Sequence, residues 1–243
     1  GAVFTGSAVY FVESMDTFAK NLADTRPTVF LAVPRIWEKL QEGILKKMPQ
    51  PKLDRLLSVP IISLLIKRAI QKKLGLAKAG HIFTGASPIN PALLHWFARL
   101  GIHIQEAYGM TENVALSHVN RKGAIRIGTV GQAYKSVEVR LGKNNEVQVK
   151  SEATMLGYYK EPAIKAECFE GDFLRTGDEG LIDADGFLTI TGRIKDQFKT
   201  SKGKYIMPAP IEGKLLQSSL LAQVCVVGSG MPHAIALGTL TET

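Results

Sequence analysis

Residues 102–113 read Ile102-His-Ile-Gln-Glu-Ala-Tyr-Gly-Met-Thr-Glu-Asn113. The apolar opening predicts a strand over Ile102–Gln105 that delivers a turn carrying a ring, a glycine, a hydroxyl and a carboxylate. Tyr108 offers a flat face to a purine, and Gly109 lets the backbone come close to a ligand. Thr111 offers a hydroxyl to a phosphate oxygen, and Glu112 a hard oxygen to Mg²⁺. Together these groups suit a nucleoside phosphate with its metal. The plainer alternative is a strand-to-loop turn with a half-buried tyrosine and a solvated glutamate.

Upstream, the apolar run Val29–Val33 ends at Pro34, and Ile36, Leu40 and Ile44 then recur at helical spacing. A second strand, His81–Thr84, runs into Gly85-Ala-Ser-Pro88, and a helix over Pro91–Leu100 has proline in its first turn. Strands alternating with helices predict an α/β layered sheet with its ligand loops at the carboxyl ends of the strands. Between Leu53 and Leu76 an apolar block with a basic tail predicts a helical pair bent at Pro60, with an interfacial membrane helix as the alternative.

Past Asn120 the period shortens to two. Val137–Leu141 and Glu146–Val149 flank Gly142-Lys-Asn-Asn145, and Gly180–Ile182 and Phe187–Ile190 flank Asp183-Ala-Asp-Gly186, which are two hairpin signatures. These predict a small β-rich subdomain. A helix over Ile211–Leu221 and a strand over Ala222–Val227 then open a small C-terminal α+β domain. The expected division is 1–120, 121–192 and 193–243.

The chain has 243 residues, 45% of them hydrophobic and 21% charged, which is ordinary globular composition. Cys168 and Cys225 have no disulfide or zinc spacing and read as reduced thiols of a cytoplasmic protein. No stretch reaches the roughly 20 apolar residues of a spanning helix. The net charge of +8 favours phosphates or an anionic membrane surface, so peripheral membrane contact is open. Nucleic acid fits poorly, because the densest basic stretch, Arg193–Lys204, holds the single aromatic Phe198.

Some patterns mislead. Asp183-Ala-Asp-Gly186 hints at a calcium loop, but Leu188 and Ile194 stand where glycine and glutamate are needed. Gly228-Ser-Gly230 lacks the acid of a dinucleotide fingerprint. The five histidines show no ligand pairing.

A second constellation follows the first: Thr176-Gly-Asp178, Gly192-Arg-Ile-Lys-Asp196 and Lys199-Thr-Ser-Lys-Gly-Lys-Tyr-Ile206. An aspartate on a strand edge can accept from both hydroxyls of a ribose, and an arginine fifteen positions on can reach the same sugar or its phosphate. With Gly85–Pro88 and Tyr108–Glu112, this set resembles the adenylate-forming enzymes: acyl-CoA synthetases, luciferases and peptide-synthetase adenylation domains. Arg26–Leu40 and Gly192–Glu212 look most like bacterial long-chain fatty-acid CoA ligases.

The resemblance implies a two-step reaction. ATP and a fatty acid give acyl-adenylate and pyrophosphate, and CoA then displaces AMP. It implies that Gly85, Ala86 and Ser87 line the adenine pocket, where Tyr108 stacks with Gly109 beside it. Thr111 would hold the α-phosphate, Glu112 the Mg²⁺, Asp178 the ribose hydroxyls, and Arg193 the ribose or phosphate. Lys195 falls at the family's hinge. Lys199 would meet phosphate or, with Ser201, Lys202 and Gly203, the CoA. The family's upstream phosphate loop and its C-terminal catalytic lysine have no counterpart here, so the chain is expected to be a fragment of its parent. Three alternatives stay open: a different acid, a carrier protein as acceptor, and a nucleotide-binding module without chemistry.

Overall fold

The computed structural model describes residues 5–216, 218 and 220–240. The chain divides into two compact units, Gly1–Ile89 with Leu93–Ile104, and Asn90–Ala92 with Gln105–Thr243.

In the first unit, strand β1 (Val29–Ala32) pairs in parallel with β2 (His81–Thr84), from Val29 opposite His81 to Ala32 opposite Thr84. A short helix, α1 (Phe18–Thr25), precedes them. The crossover between the strands is three helices: α2 (Pro34–Lys47), α3 (Gln50–Leu57) and α4 (Pro60–Lys73). Helix α5 (Pro91–Arg99) follows β2. Proline opens α2, α4 and α5, where its missing N–H is no loss and its fixed φ suits the first turn.

The core of this unit is a chain of rings. Phe30, Trp37 and Phe97 meet edge to face at 5.4 and 5.2 Å, and Trp96 meets Phe97 at 5.0 Å. Such contacts add about 0.5–1.5 kcal/mol each beyond area burial. Both indoles are satisfied: Trp37 Nε1 donates to the Ala32 carbonyl at 3.2 Å, and Trp96 Nε1 to Gln50 Oε1 at 2.8 Å.

The second unit opens with three short antiparallel strands, β3 (Gln105–Tyr108), β4 (His118–Val119) and β5 (Gln132–Ala133). Strand β3 begins at Gln105, three residues later than the expected Ile102–Gln105. Ile102 and Ile104 are buried without strand pairing, so burial imitated a strand where only Ala107 and Tyr108 find partners on β4.

A larger antiparallel sheet follows, built from β6 (Glu138–Leu141), β7 (Glu146–Lys150), β9 (Phe173–Ile182) and β10 (Leu188–Arg193), in the order β10-β9-β7-β6. Strand β8 (Phe169–Glu170), entered from helix α6 (Pro162–Cys168), pairs with β9. Both expected hairpins are present, at Gly142–Asn145 and Asp183–Gly186. Val147, Val149, Leu174 and Leu188 are fully buried on one face, with Tyr108 and Met110 packed against them.

The chain ends in a hairpin of β11 (Phe198–Lys199) and β12 (Tyr205–Ile206), helix α7 (Pro208–Leu215) and a pair of strands, β13 (Leu221–Val227) and β14 (Ile235–Leu240). Helix α7 starts and stops earlier than the expected Ile211–Leu221. Pro208 opens it, and of the expected stretch residues 217 and 219 lie outside the described residues.

Candidate functional site

Asp178, near the middle of β9, sits directly opposite Arg193 at the end of β10. Register, not sequence proximity, makes them neighbours: Arg193 Nε reaches Asp178 Oδ1 at 3.1 Å. The other carboxylate oxygen accepts a 2.7 Å hydrogen bond from the Tyr108 hydroxyl, at the end of β3. Asp178 is 7% exposed, and burial pushes its carboxyl above the usual range, with Tyr108 and Arg193 pulling the other way. Burial likewise raises the Tyr108 phenol, helped by the Asp178 charge. Arg193 remains largely in solvent, so the ion pair itself contributes only about 0–1 kcal/mol. Its value is positional.

The backbone beneath Asp178 is braced. Thr176 Oγ1 donates to the Val147 carbonyl at 2.7 Å and accepts from the Asp178 N–H at 3.1 Å. Gly177 has a φ of +72°, which a side chain would strain. Its N–H donates to Glu146 Oε1 at 3.1 Å, while Arg175 Nε holds Glu146 Oε2 at 2.9 Å. The β7–β9 register shifts between Glu146 and Gln148, and the buried Glu146 side chain fills the break. A bulge next to a site is a common way to re-aim a side chain.

After Tyr108 the chain turns sharply. A Cβ on Gly109 would lie 2.5 Å from the Ala115 carbonyl carbon, so only glycine fits. The turn Thr111–Asn113 follows, closed by Asn113 Oδ1 accepting from the Met110 N–H at 2.9 Å. Val114 and Ala115 both take φ of 56°, a left-handed conformation that costs a branched residue on the order of 1–3 kcal/mol. Asn113 is buried, and its Nδ2 has no hydrogen-bond partner among the described residues. Thr111 is exposed. Glu112 is held from a loop 46 residues away: Tyr158 donates to its Oε1 at 2.6 Å, and the Met155 N–H donates to its carbonyl at 2.7 Å. That bond pushes the Tyr158 phenol up to about 12. Glu112 Oε2 has no protein partner among the described residues.

Two further groups line this strand system. Glu106 is buried, its Oε2 accepts from the Gly128 N–H at 3.3 Å, and its carboxyl is pushed up to about 7 by burial. His118, opposite Tyr108 in the register, is buried and pushed down to about 4, first by burial and then by Arg121.

Of the predicted residues, Tyr108, Asp178 and Arg193 are thus brought together. Lys195 is exposed in a single turn, Ile194–Asp196, directly after β10. Lys199 lies on β11 with Nζ 5.2 Å over the Tyr205 ring. Ser201, Lys202 and Gly203 form the tip between β11 and β12, where Lys202 Nζ meets His233 Nε2 at 3.2 Å. Gly85, Ala86 and Ser87 belong to the first unit, on the bend after β2, where Ala86 takes a φ of 68°. Sequence reasoning missed Tyr158 and Glu146. No local pattern marks either, since each acts on a residue about 30 or more positions away.

Known proteins resemble this chain. Residues 1–159 match the family described as AMP-binding enzyme. The chain is 31% identical over 263 residues to the putative fatty-acid–CoA ligase fadD11 of Mycobacterium tuberculosis, aligning 96% of itself with 46% of that protein. It is 29% identical over 256 residues to the long-chain-fatty-acid–CoA ligase FadD15 of Mycobacterium bovis, covering 96% and 43%. The chain therefore spans about half the length of the curated relatives it matches. In fold it resembles o-succinylbenzoate CoA synthetase of Bacillus subtilis, solved with its acyl-adenylate intermediate, with a TM-score of 0.75 at 20% identity over 100% of this chain and 48% of that one. The anthranilate CoA ligase AuaEII, solved with anthranoyl-AMP, gives 0.73 at 23% over 96% and 44%. With two thirds of its length matched by one family and its fold shared with adenylate-forming enzymes, the chain belongs to the AMP-binding enzymes.

Proposed function

We propose that the protein carrying this chain is an ATP-dependent long-chain fatty-acid CoA ligase, to which this chain supplies the nucleoside-binding strands and the first part of a small domain. One observation carries the reading: a buried carboxylate, Asp178, aimed by Tyr108 and Arg193 from two other strands. A carboxylate has about four acceptor positions, so Asp178 can receive two ribose hydroxyls while keeping both protein partners. Tyr108 and Gly109 would form the floor under adenine, and Gly85, Ala86 and Ser87 are further adenine contacts that we propose by residue type alone. Thr111 would hold the α-phosphate and Arg193 the ribose or phosphate.

Mg²⁺ suits Glu112, whose Oε2 has no hydrogen-bond partner among the described residues, because Mg²⁺ is ordinarily held by one or two carboxylates plus substrate phosphates. Among the described residues no cluster of three acidic, His or Cys side chains forms an all-protein cage. When bound, the ion would neutralise phosphate charge. In the first step an acid oxygen attacks the α-phosphorus and pyrophosphate leaves. In the second the CoA sulfur attacks the acyl carbon, loses its proton and expels AMP. No side chain of this chain becomes covalently bonded. Lys195 is the proposed hinge between the steps, and Lys199, Ser201, Lys202 and Gly203 the proposed CoA contacts. The division 1–120, 121–192 and 193–243 is our proposed domain organisation of the parent.

ATP/pyrophosphate exchange by the full-length protein with acids of increasing chain length tests this. Exchange is expected to rise with long-chain acids and thioester to form on CoA. Exchange indifferent to chain length, or transfer only to a carrier protein, overturns the assignment.

A further inference from the structure

Helix α4 is turned inside out. Its buried positions are Ser63 and Ile70, whereas Ile61, Leu64 and Leu65 are 78%, 51% and 61% exposed. A surface helix normally buries its apolar stripe and shows its polar one. At 100° per residue Ile61, Leu65, Arg68 and Lys72 fall along one side of the helix, with Leu64 beside them. The outward face is therefore aliphatic in its first half and cationic in its second, and Arg68 and Lys72 are both exposed.

Charge follows the same segment. Between Lys46 and Lys73 there are eight Lys and Arg against one acid, Asp54, which is a net +7 in a chain whose total is +8. The excess positive charge thus belongs to the helical crossover, and the rest of the chain is nearly neutral. Helix α4 has 14 residues, about 21 Å, and no helix among the described residues is long and apolar enough to cross a membrane.

We infer that the outward face of α4 is a docking surface for an anionic lipid bilayer, with Ile61, Leu64 and Leu65 entering the headgroup boundary and Arg68 and Lys72 meeting lipid phosphates. An apolar stripe flanked by Lys and Arg lying in the plane of the interface is what such a surface recognises. A second copy of this chain is a poor occupant, since it would set one +7 segment against another. Nucleic acid is a poor occupant because exposed aliphatic side chains hold the place where phosphate contacts would stand. The inference concerns this face alone and does not depend on the nucleotide site, so it can fail while the proposed ligase reading stands.

The test is sedimentation of the full-length protein with vesicles, without ATP or acid. Phosphatidylcholine vesicles are compared with vesicles containing about 30% phosphatidylglycerol. Partition should be at least tenfold stronger on the anionic vesicles and should weaken about tenfold between roughly 0.1 and 0.5 M salt. Leu64→Glu with Leu65→Glu should abolish it, and Arg68→Glu with Lys72→Glu should reduce it to the phosphatidylcholine level, both with unchanged circular dichroism. Amine acetylation of the unmodified protein gives an answer that needs no variant: Lys72 should react in solution and be shielded by anionic vesicles. Equal or absent binding to both vesicles overturns the inference, as does a double-Glu variant that binds normally. Lys72 unreactive without lipid would mean that the rest of the protein covers this face. A dimer lost in the double-Glu variant, with no vesicle binding, would mean a second copy does. Either result also overturns it.

Discussion

The Asp178 cluster and the β11–β12 hairpin both belong to the second unit of the chain, yet they are built in opposite ways. Tyr108, Asp178 and Arg193 come from three strands, with Tyr108 and Asp178 70 residues apart, and the N–H groups of Gly177 and Asp178 are held by Glu146 and Thr176. Lys199–Gly203 is contiguous and, Thr200 apart, exposed; it is held by local bonds such as Gly203 N–H to the Thr200 carbonyl at 2.9 Å and by bonds to the turn after β13, such as Ser201 N–H to the Met231 carbonyl at 2.9 Å. Non-local construction fixes a group in advance of its ligand, which strengthens binding by lowering the ordering cost. A hairpin bonded to elements that, like it, follow Lys195 can swing with them as a body. Lys195 lies between the two.

Breaking that contrast should have the largest effect. Lys195→Pro in the full-length protein fixes φ near −65° and restricts Ile194, so one orientation of the following segment is lost. Thioester formation from pre-formed acyl-adenylate should fall by orders of magnitude while pyrophosphate exchange survives. Equal loss of both, or of neither, rules out a hinge there.

Asp178→Ala attacks the fixed side. Hydrogen bonds to a charged acceptor contribute about 1.5–3 kcal/mol each, so losing two should raise the ATP KM roughly 100-fold or more. An unchanged KM removes Asp178 from the site. Tyr108→Phe sharpens the comparison, because it keeps the ring and deletes only the 2.7 Å bond that aims Asp178. A rise of about tenfold in ATP KM is expected, well short of Tyr108→Ala; equal effects would mean the ring contributes nothing.

The smallest effect concerns the rigidity of the strands themselves. Glu106 titrates near 7 when folded, above its ordinary 4.5, so the folded protein holds a proton that the unfolded chain has released. Its contribution to stability is full below about pH 4.5 and is lost as pH rises through 7. His118, pushed down from 6.5 to about 4, works in reverse: its contribution is full above 6.5 and is lost as pH falls towards 4. The two slopes oppose one another between about pH 4.5 and 6.5. Glu106→Gln should remove one of them, stabilising the protein by about 1–3 kcal/mol near pH 8. Urea midpoints across this range check it, and a variant with the parent's pH slope would show that Glu106 is already ionised.

Much of this was legible in the sequence, for identifiable reasons. Turn residues and period-two alternation announced both hairpins, and prolines marked the starts of α2, α4 and α5. Strand β3 was displaced because Ile102 and Ile104 are buried for packing, while pairing depends on β4, which apolar periodicity does not register. The helical pair after Leu53 was readable as well. Its orientation was not, because a sequence tells which residues are apolar and not which side of the helix meets the core. The residues bracing Glu112 and Asp178 were invisible for a related reason: Tyr158 and Glu146 act through contacts to distant parts of the chain that leave no periodic trace.

The direct opposition of Arg193 and Asp178 makes the Asp183–Gly186 turn, together with the bulge between Ile190 and Gly192, a ruler. Side chains on a strand alternate faces, so a one-residue slip in that register would carry Arg193 to the far side of the sheet. Every residue of the cluster would still be present in the sequence, in order and spelled the same. Two relatives with identical motifs but turns of different length therefore need not share a working site, and counting residues between Asp178 and Arg193 is a sharper criterion of kinship in function than matching the motifs themselves.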